Sequence, residues 1–376
     1  MTRAASFSLL GVSIRLDASW ILLALLIAWS LASGVFPSLY AGLPQSSYWA
    51  MAAVTVVGVA ASIILHELGH TLVARAFGLP IKSITLFVFG GVAEMEGEPK
   101  APMAELLMAL AGPLVSVGLG FGFAGVATIL PLSTPTEFHA VAHYLSMLNF
   151  TLAAFNMLPA FPLDGGRVLR AIVWLVSRDP LKATRIAARS GEVIAILLMA
   201  AGVLQALGGA VGHGLWWVVL GWFILSMAGA HRREAEAKQL LSGARVRDLM
   251  TPNPITAPGE MSVEDFVETI LARHPHDLIP VIAGGVVIGG AGFGEAKATA
   301  RQAWASTPLS RIATPIAQIP TADQSLEIEA ALERMQKARS SRLIVTDGER
   351  LAGILTLKDL MRHLRFRSEL ASRATT

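Results

Sequence analysis

The sequence predicts a multi-pass α-helical membrane protein with six spans and a short membrane-associated β-hairpin, joined to a cytoplasmic α/β module built from two repeated units. Three observations predict it. Hydrophobic residues make up 53% of the 376 positions and charged residues 15%, and a mean hydropathy of +0.57 is too apolar for an ordinary soluble chain. That excess lies almost entirely before residue 231. Beyond it the composition turns polar, and the chain aligns with itself without a gap at an offset of 63 residues.

Apolar runs close to the roughly 20 residues that a spanning helix needs occupy 18–35, 48–74, 105–130, 138–158, 191–207 and 215–230. Their connections alternate in charge. Segments 36–47, 131–137 and 208–214 contain no Lys or Arg, whereas the intervening side carries Arg3, Arg15, Arg75, Lys82, Lys100, Arg167, Arg170 and further basic residues up to Arg233. Basic residues collect on the cytoplasmic side, so six spans in a plasma (inner) membrane with both termini cytoplasmic are expected. The rival reading of the first span is a cleaved leader processed at Ala32-Ser33-Gly34, which leaves the remaining topology unchanged.

Cysteine is absent, which excludes disulfides, thiol catalysis and thiolate metal ligation. The formal charge of +3 follows the topology, leaving no basic patch for nucleic acid. Within the second span stands His66-Glu67-Leu68-Gly69-His70. Two histidines four residues apart share one helix face and can hold one Zn²⁺, with the glutamate between them placed to act on a water there. Ionisable groups at membrane depth are costly and mark a functional site by default.

The site is off-centre in the span, because Arg75 follows His70 by five residues, roughly 7 Å at helical rise. Asp164, in Pro162-Leu163-Asp164-Gly165-Gly166-Arg167, follows the fourth span at the same expected depth. It would complete a His₂Asp set with an open position; the alternative is a turn residue before two glycines. His139 and His143 also stand four apart, but roughly 30 Å along the helix from Asp164, which assigns them an interfacial or packing role. His213 lies in another outer connection.

Together these residues resemble the site-2 protease family of intramembrane zinc metalloproteases. The resemblance rests on His66-Glu67-Leu68-Gly69-His70, Phe89-Gly90-Gly91-Val92-Ala93, Ala111-Gly112-Pro113 and the run from Asn156 to Arg167, in that order, over about residues 8–230. Leu10-Gly11-Val12-Ser13-Ile14-Arg15-Leu16-Asp17 is similar to the opening of the six-span branch that carries a cytoplasmic regulatory module. The resemblance implies that His66, His70 and Asp164 bind zinc, that Glu67 is the catalytic acid/base, and that the substrate is a single-span membrane protein cleaved within its transmembrane helix. Asn156 matches the family's asparagine and would orient substrate or stabilise the oxyanion; the alternative is an interhelical hydrogen bond.

Residues 83–89 are rich in β-formers and precede Gly90-Gly91 and Val92-Ala93-Glu94-Met95-Glu96, which predicts the hairpin. The hairpin is expected to lie in the cytoplasmic leaflet beside the zinc and to offer an edge to unwound substrate, or else merely to cover the site.

After a charged helical linker, 232–243, the two units occupy 244–303 and 304–366, with a tail at 367–376. Thr251-Pro252 aligns with Thr314-Pro315, and Val281-Ile282 with Ile344-Val345. Val246-Arg247-Asp248-Leu249-Met250 and Gly353-Ile354-Leu355-Thr356-Leu357-Lys358-Asp359 are similar to the opening and closing motifs of a CBS-domain pair. That resemblance implies an adenosine nucleotide held by Thr356 and Asp359. The first repeat has Phe293 and Ala296 at those positions, so one site rather than two is expected. The alternative is a structural pair that mediates homodimerisation. Besides the protease, the ligand pattern admits a non-catalytic zinc-binding membrane receptor or chaperone, which would not need Glu67, and a metal transporter, whose ligands would line a path across the bilayer rather than cluster at one depth.

Overall fold

The computed structural model describes residues 3–373 apart from Phe89, Glu96, Glu98, 132–134, Pro275 and His276. Phe89 of the glycine motif and Glu96 of the hairpin therefore lie outside the described residues, as do the last three positions of the tail. The chain forms two compact units, Met1–Ala235 and Glu236–Thr376.

The first unit opens with a hairpin, β1 (Arg3–Leu9) and β2 (Val12–Asp17). Leu10 and Gly11 take positive φ at its turn, where both Arg75 Nη atoms donate to their carbonyls at 2.6 and 3.0 Å. Asp17 then caps α1 (Ala18–Ser30) by accepting from the Ser19 N–H. A π-helical turn, Leu31–Val35, joins α1 to α2 (Phe36–Leu39). The remaining helices are α3 (Gln45–Ala76), α4 (Pro102–Ile129), α5 (Thr136–Asn156), α6 (Asp164–Ser177), α7 (Pro180–Leu207) and α8 (Val211–Leu241). Between α3 and α4 run β3 (Ile81–Phe87) and β4 (Gly90–Met95).

Among the described residues, five helical segments are long and apolar enough to cross a membrane: Ala18–Leu39, α3, α4, α7 and α8. The expected span at 138–158 is present as α5 but fails on composition. Two of its polar residues face protein: Asn149 and Ser146 are buried, Asn149 Nδ2 donating to Ser62 Oγ on α3 (2.9 Å) and Ser146 Oγ to the Gly120 carbonyl on α4 (2.8 Å), whereas His143 and Thr151 are exposed.

The hairpin is half of a larger sheet. Strand order is β1-β2-β3-β4, with β2 and β3 parallel and β3 and β4 antiparallel. Hence β3 is interior, and the free edge on this side belongs to β4. The sequence reading missed the β1–β2 hairpin, which joins the sheet through β2, whose partner β3 lies some 70 positions away, beyond the reach of local pattern.

In the second unit, α9 (Val246–Leu249), β5 (Thr251–Pro252), β6 (Ala257–Pro258), α10 (Val263–Asp265), β7 (Ile279–Ala283), β8 (Val286–Ala291) and α11 (Phe293–Ala298) make the first repeat. The second comprises α12 (Leu309–Ile312), β9 (Thr314–Pro315), β10 (Thr321–Asp323), α13 (Ile328–Lys337), β11 (Arg342–Asp347), β12 (Arg350–Thr356) and α14 (Leu357–Arg373). The sheets run β6-β7-β8-β9 and β10-β11-β12-β5. Each repeat thus lends its opening strand to the other. Helical residues follow the strands: Val246 and Leu249 pack in the core with Ile328 and Leu343, and Leu309 packs with Phe266 and Val281. The expected tail from 367 continues α14 as far as Arg373.

Candidate metal centre

The 32 residues of α3 place His66 and His70 one turn apart on a buried face. Helix α4 crosses this face at small residues. A β-carbon at Gly69 would lie 3.0 Å from the Ala111 carbonyl oxygen, and one at Gly112 would lie 2.2 Å from His70 Nε2 and 2.7 Å from His66 Nε2. Small residues let helix backbones approach closely, and here the approach leaves a cradle at the two imidazole nitrogens. The same helix orients both rings. His70 Nδ1 donates to the Met108 carbonyl at 2.6 Å, and His66 Nδ1 lies 2.9 Å from Ser116 Oγ. A carbonyl only accepts, so the His70 proton sits on Nδ1 and Nε2 presents a lone pair; the serine allows the same arrangement at His66.

Asp164 arrives separately, as the first residue of α6. Gly165 and Gly166 are the first turn of that helix rather than a turn after it. β-Carbons there would lie 2.3 Å from the Met157 and Leu158 carbonyl oxygens and 2.6 Å from Ala160 and Phe161 backbone atoms, so the preceding loop folds directly onto the start of α6. Ser190 Oγ on α7 secures the loop by donating to the Pro159 carbonyl, and Phe161 stacks on His231 of α8 with ring centroids 4.7 Å apart.

The result is a triangle of three ligand atoms. His66 Nε2 and His70 Nε2 lie 3.1 and 3.2 Å from Asp164 Oδ2 and 3.2 Å from each other. Ligands held about 2 Å from a tetrahedral zinc stand about 3.3 Å apart, so the donor set and its spacing fit that ion. Among the described residues this is the group of His, Asp and Glu side chains close enough to hold a metal.

Glu67 is half-buried beside the cluster, and the backbone of β4 passes against it. A β-carbon at Gly91 would lie 2.6 Å from Glu67 Cγ. Gly91 therefore serves a close approach rather than only a turn. Asn156, the last residue of α5, donates from Nδ2 to the Leu152 carbonyl in its own helix at 3.0 Å, neither joining the triangle nor bridging helices in that bond. His139 lies within 3.2 Å of the Ala127 and Pro131 carbonyls, and His213 is exposed; neither belongs to the cluster. Sequence reasoning missed Met108 and Ser116. Each four residues from Gly112, they were legible only as helix neighbours of the Ala111-Gly112-Pro113 motif.

In the second unit, Thr356 and Asp359 form a reciprocal cap at the start of α14. Thr356 N–H donates to Asp359 Oδ2 (3.1 Å), and Asp359 N–H donates to Thr356 Oγ1 (3.2 Å). Both line a cavity of about 540 Å³ together with Thr251, Arg342, Lys358 and Arg362. In the first repeat Glu295 caps α11 instead, accepting from Gly292 N–H and Thr314 Oγ1, and Phe293 is exposed.

Comparison with known proteins identifies the family of the chain. The Peptidase family M50 model matches residues 54–140 and 124–200, and the CBS domain model matches 246–289 and 309–365. Rip3 of Mycobacterium tuberculosis is 36% identical over 355 residues, 94% of this chain and 90% of Rip3. Zinc metalloprotease MJ0392 of Methanocaldococcus jannaschii is 30% identical over 357 residues, 95% of this chain and 94% of that protein. The solved site-2 protease from Methanocaldococcus jannaschii is 31% identical, covering 62% of this chain and 95% of its own, with a TM-score of 0.43. The chain therefore belongs to the M50, or site-2 protease, family of zinc metalloproteases and carries a C-terminal CBS pair.

Proposed function

We propose that this protein is an intramembrane zinc endopeptidase that cleaves a transmembrane segment of a membrane-protein substrate, with its CBS pair on the cytoplasmic side of the plasma membrane. The observation that carries the reading is the triangle of His66, His70 and Asp164 beside Glu67, on a helix apolar enough to span a membrane. Zinc held there supplies Lewis-acid polarisation of a scissile carbonyl and a more acidic water. With the metal bound, Glu67 would serve as the general base and then the general acid, accepting a proton on its carboxylate and returning it to the leaving amine. A receptor or chaperone has no use for such a base, and a transporter would spread its ligands along a path rather than gather them in one triangle.

The free edge of β4 runs beside Glu67 and is suited to receive an unwound substrate as an added strand. Asn156 would serve that strand or the oxyanion after leaving its Leu152 bond. In the CBS pair, Asp359 and the basic residues Arg342, Lys358 and Arg362 around the cavity suit the ribose and phosphates of one adenosine nucleotide, which would regulate proteolysis.

Four outcomes are expected. Wild type and Glu67→Gln both carry one zinc, while cleavage of a panel of model transmembrane substrates in detergent falls about 10²–10⁴-fold in the variant; equal cleavage would refute the active site. Gly112→Ala fills the cradle and weakens zinc binding although every ligand remains, measured by competition with a chromophoric chelator; wild-type affinity would show that the close approach is irrelevant to the metal. Because the chain has no cysteine, Glu94→Cys on β4 gives a unique thiol. It should form disulfides with cysteines placed at alternate positions of the cleaved segment, and uniform or absent cross-linking would rule out strand addition. Finally, calorimetric titration of the purified chain with ATP and AMP should give heat that Asp359→Ala abolishes; no heat from wild type would remove the nucleotide.

A further inference from the structure

The metal triangle is split between two helices that have no covalent reason to keep their alignment. Helix α4 orients both imidazoles through Met108 and Ser116, whereas Asp164 rides on α6. Metal–ligand distances tolerate only about 0.2 Å, so the position of α6 along α4 must be set tightly. The glycine contacts of Gly165 and Gly166 seat the loop on α6 but leave its alignment with α4 open.

One polar group spans this interface. Glu105 lies on α4, three residues before Met108, and is 1% exposed. Arg170 lies on α6, six residues after Asp164. Its Nη1 donates to Glu105 Oε1 at 2.8 Å, its Nε donates to Thr184 Oγ1 on α7 at 2.8 Å, and its guanidinium lies 5.7 Å from the Trp174 ring centroid. A planar fork thus ties three helices at one point. A buried ion pair adds little net stability over apolar packing, yet it admits only one register, since removing either partner leaves an uncompensated charge. Sliding α6 by one turn, about 5.4 Å, would break both interhelical hydrogen bonds.

We propose that Arg170 and Glu105 are positioning residues for the metal centre, setting the register that delivers Asp164 to His66 and His70. The proposal rests on the zinc reading above. It assigns the pair to the metal site rather than to the general stability of the bundle.

The test uses the full chain in detergent. Zinc affinity is measured by chelator competition, and the ligand field by the visible spectrum of the Co²⁺-substituted protein. Arg170→Met and Glu105→Gln should bind zinc about 10–100-fold more weakly and alter the cobalt bands. Arg170→Lys, which keeps the charge opposite Glu105 but loses the second arm, should recover part of the loss. Asn149→Leu, which breaks the buried Asn149–Ser62 bond between α5 and α3, should lower the unfolding temperature without changing either readout. Wild-type affinity and spectrum in folded Arg170→Met or Glu105→Gln would overturn the proposal, as would an equal change in Asn149→Leu. If Arg170→Met fails to fold, Glu105→Gln and Thr184→Val each remove one arm; loss of fold in all three assigns the pair to folding and also overturns it. A wild type that binds no zinc would instead sink the zinc reading itself.

Discussion

Two imidazoles and a carboxylate gathered among apolar helices need polar partners from several directions, because burial withdraws them from bulk solvent. The protein meets that demand with one helix. α4 brings a glycine to the Nε2 side of both rings and a carbonyl and a hydroxyl to their Nδ1 side. The remaining elements of the first unit are arranged around this crossing. α3 presents the histidines, α6 brings the aspartate, and the sheet lays β4 against Glu67.

Close backbone approach recurs at each of these joints, and it explains why the site is framed by small residues. Gly69 and Gly112 admit α4, Gly91 admits β4, and Gly165 and Gly166 admit the loop before α6. In an environment where apolar burial provides no drive between helices, packing of this kind and interhelical hydrogen bonds hold the structure. The polar links are correspondingly specific: Asn149 with Ser62, Ser146 with the Gly120 carbonyl, Ser190 with the Pro159 carbonyl, and Arg170 with Glu105 and Thr184.

The second unit solves a different problem. Each repeat is too small to complete its own sheet, and the exchange of β5 and β9 makes the two sheets mutually dependent. The same exchange breaks the functional symmetry. In the second repeat Thr251, on the lent strand β5, lies 3.5 Å from Asp359 at the cavity. In the first, the aligned Thr314 is engaged by Glu295, and Phe293 stands in solvent. The two repeats therefore present different side chains at equivalent positions, and the cavity with Thr356 and Asp359 lies in the second.

The sequence by itself determined the apolar helices, the polar repeat and the histidine pair as candidate ligands, because hydropathy, a 63-residue self-alignment and an i, i+4 pair of histidines are local or periodic signals. Asp164 was legible as a candidate from its depth, and the family resemblance supplied its role. The span expected at 138–158 is present as helix α5, and the tertiary structure shows what its apolar run could not, that Asn149 and Ser146 are turned toward neighbouring helices. The four-stranded sheet, the free edge at β4, the strand exchange and the partners Met108, Ser116, Glu105 and Arg170 were decided only by the tertiary structure. Each depends on which distant backbones come within hydrogen-bonding distance, and no spacing within a single segment encodes that.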